Sequence, residues 1–471
     1  MIKEQTLNLI NFKLVCNIQP EIFDRNRKVP GKEPFMEQNN QKSIFHPSGK
    51  VFRFTVLFFA SMLTFGSYFA YDIIGAIAPT LVEDLGAARG TVGAMYTVYS
   101  IAAIISVLIG GFLIDRMGAR KASIIFSVLV FVGAALVAVA DNLTVLFIGR
   151  FIFGAGSEPV VVVQSAILSR WFKGKELALS FGIALTVSRM GTLFSFNTGE
   201  LISSYFGSYR YALIAAMIFC LVSLLSNIVY IIMDRKGEKE FQLAEVGAED
   251  KIVFSDIKKF KPAFWHIAML CVLFYSAIFP FTALSTDFFV DKWGIARVAD
   301  STGGFFYSVF DNFLHMFNTA GGISSIIIFA SMVLAPFAGH FVDKIGKRAS
   351  LMIVGSIIMI PSYLLMGFSS MYPVIPMIIL GAAFVLVPAA MWPAVPLIVK
   401  KEHVGTAFGL ITFIQNIGLA LFPYLNGFLR DTTESYSASM LMFAGLGVLG
   451  LLFAFLLKRS DKQIGNVLEK P

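Results

Sequence analysis

Three ionisable residues stand inside long apolar runs. Glu158 lies in Gly154-Ala155-Gly156-Ser157-Glu158-Pro159, Arg189 in Ser188-Arg189-Met190-Gly191, and Asp72 closes the stretch Gly66-Ser67-Tyr68-Phe69-Ala70-Tyr71-Asp72. A charge at the centre of a membrane helix costs roughly 2.5–3.5 kcal/mol on insertion scales, so each is a functional candidate by default. The chemistry they offer is recognition of opposite charges. The Arg189 guanidinium presents a planar fork suited to a carboxylate. Glu158 or Asp72 supplies a negative partner for an ammonium, and Tyr71 joins them in the candidate substrate-binding set. Glu158 and Arg189 also admit a simpler role, a buried salt bridge tying two helices, and both roles hold if the pair closes when the site is empty. For Asp72 a hydrogen-bonded structural role stands beside direct ligand contact.

These side chains need elements that cross a bilayer. Of the 471 residues, 56% are hydrophobic and only 14% charged, and the mean hydropathy is +0.75. A soluble domain carries about 25% charged residues, so a polytopic membrane protein is expected. Twelve continuously apolar runs are each long enough to cross as a helix: 53–80, 91–114, 121–140, 144–169, 177–203, 211–233, 264–289, 320–342, 349–370, 373–398, 404–429 and 436–457. Their continuity excludes an alternating β-barrel pattern. The fold class is thus all-α, in two six-helix halves (51–233 and 263–458) joined by a polar linker at 234–262. A polar N-tail (1–50), in which no signal-peptide pattern is read, and a C-tail (459–471) flank them. Thirty-one of the 38 Lys and Arg fall on the side of the two termini and five on the other (Arg89, Arg210, Lys292, Arg297, Arg430). That asymmetry predicts cytoplasmic termini and accounts for the net charge of +8 without nucleic acid.

The halves echo each other. Gly111, Asp115, Arg116 and Gly118, followed by Arg120, follow the pattern G-x-x-x-D-[RK]-x-G after the second run. Gly339, Asp343, Lys344 and Gly346 repeat it after the eighth, offset by 228 residues. A weaker echo links Lys175-Glu176 with Lys401-Glu402 and Phe181-Gly182 with Phe408-Gly409. The glycines suit a tight turn and close helix approach, the aspartates the N-terminus of a neighbouring helix. Parallel six-helix repeats place a substrate site near the midplane between them. Carried by the same offset, Arg189 maps near Gln415 and Asn416, amides able to bond a peptide-like backbone or merely a neighbouring helix. Trp392, in Met391-Trp392-Pro393, caps a cavity or packs at its wall. Gln164 is a weaker candidate, and Arg150 is expected near the outer surface in a structural role.

The paired loop motif resembles the signature of the major facilitator superfamily, over residues 50–460. In that family the motif steadies one access state and binds no substrate. Further stretches resemble its lysosomal dipeptide transporter branch and microbial relatives: the run from Phe65 to Asp72, Gly154 to Glu158, Trp171-Phe172-Lys173-Gly174-Lys175-Glu176-Leu177, Ser188 to Gly191, Trp392-Pro393, Gly405 to Gly409, and Gln415 to Gly418. The resemblance implies that Glu158 and Arg189 bind the two ends of a dipeptide, with Trp392 and Gln415 or Asn416 as pocket wall. Two departures matter. The loop at 291–319 is long and aromatic, which suits a short interfacial helix, and Leu9-Ile10 lacks an acidic residue four positions earlier, so a plasma membrane is expected in place of a lysosome.

Three functions fit these residues: a facilitative carrier of dipeptides or similar zwitterions, a proton-coupled carrier of an organic anion, and a non-transporting receptor or scaffold. The span-one run Glu-x-x-Glu-Arg of familiar proton-coupled peptide carriers is absent. No enzyme is expected, because the five histidines are scattered, no metal-ligand spacing occurs and no phosphate loop is present, so no cofactor is expected either.

Overall fold

The computed structural model describes residues 46, 49–172, 176–241, 258–301, 303–400 and 403–470. Fourteen α-helices follow one another, and among the described residues there is no strand, only the isolated bridge Ala296–Thr319. They are α1 (Lys50–Ala76), α2 (Ala78–Leu85), α3 (Arg89–Ala138), α4 (Leu143–Phe172), α5 (Leu177–Phe206), α6 (Tyr209–Phe241) and α7 (Pro262–Thr282). Then come α8 (Ser285–Trp293), α9 (Phe305–Leu314), α10 (Ala320–Ile345), α11 (Arg348–Phe368), α12 (Val374–Ile398), α13 (Val404–Thr433) and α14 (Ser437–Gln463). Twelve stretches among them are long and apolar enough to cross a membrane, with α3 supplying two, Arg89–Val107 and Arg116–Ala138. The short helices α2, α8 and α9 complete the set, and α9 lies in the aromatic loop where a short helix was expected.

Differences from the expected boundaries have local causes. The first crossing stops at Ala76, and Pro79, which suits a first helical turn, starts α2 instead. The seventh ends at Thr282, two residues after Pro280, and α8 begins separately at Ser285. The polar linker does not begin at residue 234. Asp234 is fully buried and accepts hydrogen bonds from Arg120, Arg170 and the Trp171 indole, so α6 continues to Phe241. Nor does the chain leave the bundle at residue 459: α14 runs to Gln463, and the segment after it folds onto the start of α11, with Arg348 N donating to Leu468 O at 2.7 Å.

The loop motif proves to be two different joints. Gly118 bends α3 at φ 79, ψ 155, a conformation nearly closed to residues with a Cβ. Arg120 beside it donates to Asp234 at 2.5 and 2.9 Å and to Glu238 at 2.7 Å, which ties α3 to α6. In the second half Gly346 stands at φ 67, and Arg348, the counterpart of Arg120, donates to Lys470 O at 2.9 Å. Gly111 and Gly339 correct the expectation of close helix approach, because a Cβ on either would meet nothing within 4 Å. Asp343 is largely exposed and lies 3.7 Å from Arg348 within its own half. The side chain of Asp115 lies outside the described ones, as do Lys175, Lys401 and Glu402 of the weaker echo. Arg116 and Lys344 stay at the basic end, and Arg116 is exposed.

The halves are sealed at one end. A Cβ on Gly93 would collide with the Pro423 carbonyl, one on Gly427 with Arg89, and one on Gly321 with Phe196, so α3 meets α13 and α5 meets α10 backbone to backbone. Hydrogen bonds reinforce each seam: Thr97 to Ala420 O at 2.5 Å, Asn197 to Ser325 at 3.0 Å, and Thr286 to Gly75 O at 2.5 Å. Asp431 accepts from Arg89 N and Gly90 N, capping the first turn of α3 from the other half. Arg89 pairs with Asp287 at 2.5 Å, and Arg297 pairs with Glu83. All of these lie at the end opposite the basic loops. Gly182 and Gly339, toward the basic ends of α5 and α10, stand in open space. The named contacts between the halves thus close the conformation at the far end.

Candidate functional site

A cavity of about 320 Å³ lies between the halves, within the size range of small-molecule sites. One wall comes from the first half: Ser67, Tyr68, Tyr71 and Asp72 on α1, Tyr99 on α3, Ser157, Glu158 and Val161 on α4, and Arg189 and Thr192 on α5. The other wall is Tyr275 and Phe279 on α7, Trp392 on α12, and Thr412, Gln415 and Leu419 on α13. On α1, α4, α5, α7 and α13 the lining positions recur at three and four residues, so each of these helices offers one face.

Glycines set how close these helices come. A Cβ on Gly154 would strike the Tyr99 carbonyl, so α4 lies directly on α3 and Glu158, one turn on, comes within reach of Tyr99. The Tyr99 hydroxyl donates to Glu158 Oε1 at 3.0 Å. Gly191 does the same for α5, whose backbone rests on Phe65 O of α1 and presents Arg189 two residues earlier. Gly154 and Gly156 therefore admit neighbouring helices, not a ligand.

Arg189 forms no hydrogen bond or ion pair among the described residues. It is half-buried, with its guanidinium over Tyr68 at 6.0 Å, Phe279 at 5.9 Å and Phe384 at 5.4 Å. The expected salt bridge between Glu158 and Arg189 is not formed: the acid bonds to Tyr99 and the base rests on rings contributed by both halves. Stacking holds the cation in place while its donors remain unspent. Asp72 is 7% exposed, and Thr192 on α5 lines the same wall of the cavity. Acids and a base whose donors are unspent together give the cavity a polar lining suited to a polar ligand.

The opposite wall is aromatic. Trp392 Nε1 donates to the Tyr275 hydroxyl at 2.9 Å, and Tyr275 stacks on Phe279 at 5.7 Å with planes 7° apart. Gln415 lines the cavity and accepts from the Cys271 thiol at 3.7 Å, which leaves its amide nitrogen for a ligand. Asn416 does not. It sits about 100° round the helix, 3% exposed, and donates to the Thr412 carbonyl of its own helix. Gln164 is structural, donating to Ala60 O and Thr64 Oγ1 at 2.9 Å.

Arg150, in the far-end third of α4, is 1% exposed and lies inside the bundle. It donates to Ala70 O at 3.2 Å and packs against Tyr71, Tyr96, Tyr99 and Phe153, all within 5.7 Å. Its structural role holds, and it backs the two tyrosines that line the cavity.

Sequence reading missed Tyr68, Tyr99, Tyr275, Phe279, Thr192 and Thr412. The signal for Tyr275 and Phe279 was an i, i+4 aromatic pair, indistinguishable from lipid-facing aromatics until the facing helix is known.

The fold and family rest on three comparisons. The sequence profile of the Major Facilitator Superfamily matches residues 60–311 and 301–471. The lysosomal dipeptide transporter MFSD1 of Danio rerio is 30% identical over 453 residues, covering 92% of each chain. Crystal structures of a nucleoside transporter and of a peptide transporter each superpose with a TM-score of 0.67, at 15% and 12% identity; they cover 85% and 88% of this chain and 99% and 95% of their own. Twelve crossings in two echoing halves, a cavity between them and these similarities lead to one statement: the chain belongs to the major facilitator superfamily.

Proposed function

We propose that the chain is an alternating-access carrier of dipeptides, acting as a facilitative uniporter. The observation that carries this reading is a cavity between the halves holding an acid and a base that do not neutralise each other. Arg189 takes the substrate carboxylate with its free fork. Glu158 takes the ammonium, with Asp72 adding negative charge on the same wall. Between the two ends, Gln415 meets the peptide bond, and Tyr68, Tyr275 and Trp392 face the side chains. The name of the Danio rerio relative supports the substrate class. With the far end closed in the present conformation, transport follows from the halves rocking about the cavity to open alternately there and at the basic end. We place both termini and that end in the cytoplasm, on the charge asymmetry of the loops. The membrane expected from the tail sequence is the plasma membrane, whereas the relative is named as lysosomal.

Uptake of radiolabelled dipeptide into proteoliposomes tests the function. Saturable uptake that an imposed pH gradient leaves unchanged supports a uniporter. Uptake of organic anions alone, driven by that gradient, would replace it with the proton-coupled reading, which the membrane carboxylates Asp72 and Glu158 otherwise favour.

A further inference from the structure

A second and larger cavity, about 530 Å³, lies at the basic end of the first half and takes no part in the central site. It opens between the second crossing of α3, the end of α4 and the end of α6. Its polar lining is Arg120, Lys121, Arg170, Arg235 and Glu238. Two of these cations are committed to acids: Arg120 and Arg170 both bind the buried Asp234, and each donates to one oxygen of Glu238, at 2.7 and 3.2 Å. Lys121 and Arg235 are exposed and make no hydrogen bond or ion pair among the described residues. Among the described side chains, four cations here face two carboxylates, a surplus of two positive charges carried by Lys121 and Arg235.

The floor is apolar, with Ile124, Ile125, Ala166 and Ile231. The apolar surface continues away from the charged rim. Val128 and Val132 follow Ile124 at four and eight residues on α3, and Ile228 and Ile232 run along α6; all are exposed. A cationic rim above an apolar track, at the basic end of membrane helices, matches an anionic head carrying a hydrocarbon tail. A soluble anion would satisfy the rim and leave the floor wet.

We propose that this cavity binds an anionic phospholipid of the leaflet at the basic end, whose phosphate keeps its negative charge because no ammonium in the headgroup neutralises it. Lys121 and Arg235 bind the phosphate oxygens, Arg120 and Arg170 hold the rim rigid through Asp234 and Glu238, and an acyl chain lies along Ile124, Val128 and Val132. Every contributing residue belongs to one half, so the lipid rides with that half as the carrier rocks and is not a substrate.

The test uses the full-length chain purified in detergent, titrated separately with phosphatidylglycerol, phosphatidylcholine and inorganic phosphate. Melting temperature and lipid retention in native mass spectrometry are read for each. Phosphatidylglycerol should raise the melting temperature and stay bound; phosphatidylcholine and inorganic phosphate should do neither. Each basic residue near an anionic lipid is worth about five-fold, so Lys121→Gln with Arg235→Gln should weaken retention roughly thirty-fold. Without lipid that variant should melt as the parent does, since neither side chain is bonded. No shift with phosphatidylglycerol, or an equal shift in the double variant, would overturn the site. An equal effect of inorganic phosphate would assign the cavity to a free anion and overturn the lipid.

Discussion

At the scale of single residues, the central feature is an arginine with unspent donors facing an acid bonded to one tyrosine. Removing either charge should cut dipeptide uptake at least ten-fold, because a hydrogen bond to a charged group is worth about 1.5–3 kcal/mol. Arg189→Lys should rescue little, since an ammonium lacks the planar fork. The two amides separate cleanly: Gln415→Ala should weaken dipeptide binding several-fold, whereas Asn416→Ala should leave it near the parent's, both read by calorimetric titration. Glu158, Arg189 and Asp72 were legible in sequence because charge in an apolar run is expensive. The choice between Gln415 and Asn416 was not, because adjacent residues differ only by the phase of the helix. The aromatic wall was hidden for a similar reason, since lipid-facing and cavity-facing rings look alike in one dimension.

At the scale of helices, glycines fix distances and far-end contacts fix the state. Gly154→Val would drive a side chain into the Tyr99 carbonyl, displacing α4 and Glu158 with it. Loss of both melting temperature and uptake is expected, with Gly182→Val, in open space, as the silent control on stability. The pair Glu83–Arg297 gives the seam a pH response. The Arg297 guanidinium, by its hydrogen bond, holds the Glu83 carboxyl below the usual carboxylate range. A lowered value means the pair stabilises the seal above the ordinary carboxylate pKa and is lost as pH falls through the lowered value. Acid should therefore loosen the far end, by less than about five-fold because the pair is largely solvent-exposed. Labelling of a cysteine placed at Ile295, buried two residues before Arg297, should rise in acid, and Glu83→Gln should label at the high rate at every pH. The loop motif was legible as a repeat, but not its divergent partners. Arg120 finds Asp234 on α6, whereas Arg348 finds a carbonyl of the C-terminal segment, a difference set by contacts more than 110 residues away.

For the whole molecule, twelve crossings, their echo and their charge bias were readable because hydrophobic length and loop composition are local properties. Which access state the chain adopts was not, since it depends on how α3 meets α13 and α5 meets α10. A cysteine pair at Thr97 and Ala420, whose native atoms touch across the seam, should crosslink under oxidant and stop uptake, and reductant should restore it. The substrate claim itself is tested most directly by capping the substrate. Binding of one dipeptide to the purified chain is compared with its N-acetylated and C-amidated forms, by calorimetry, in the parent and in the Glu158→Gln and Arg189→Ala variants. The account predicts that either cap weakens binding to the parent at least ten-fold, that the Glu158→Gln variant no longer distinguishes the N-acetylated form, and that Arg189→Ala no longer distinguishes the amide. Capped dipeptides that bind the parent as tightly as free ones would contradict it.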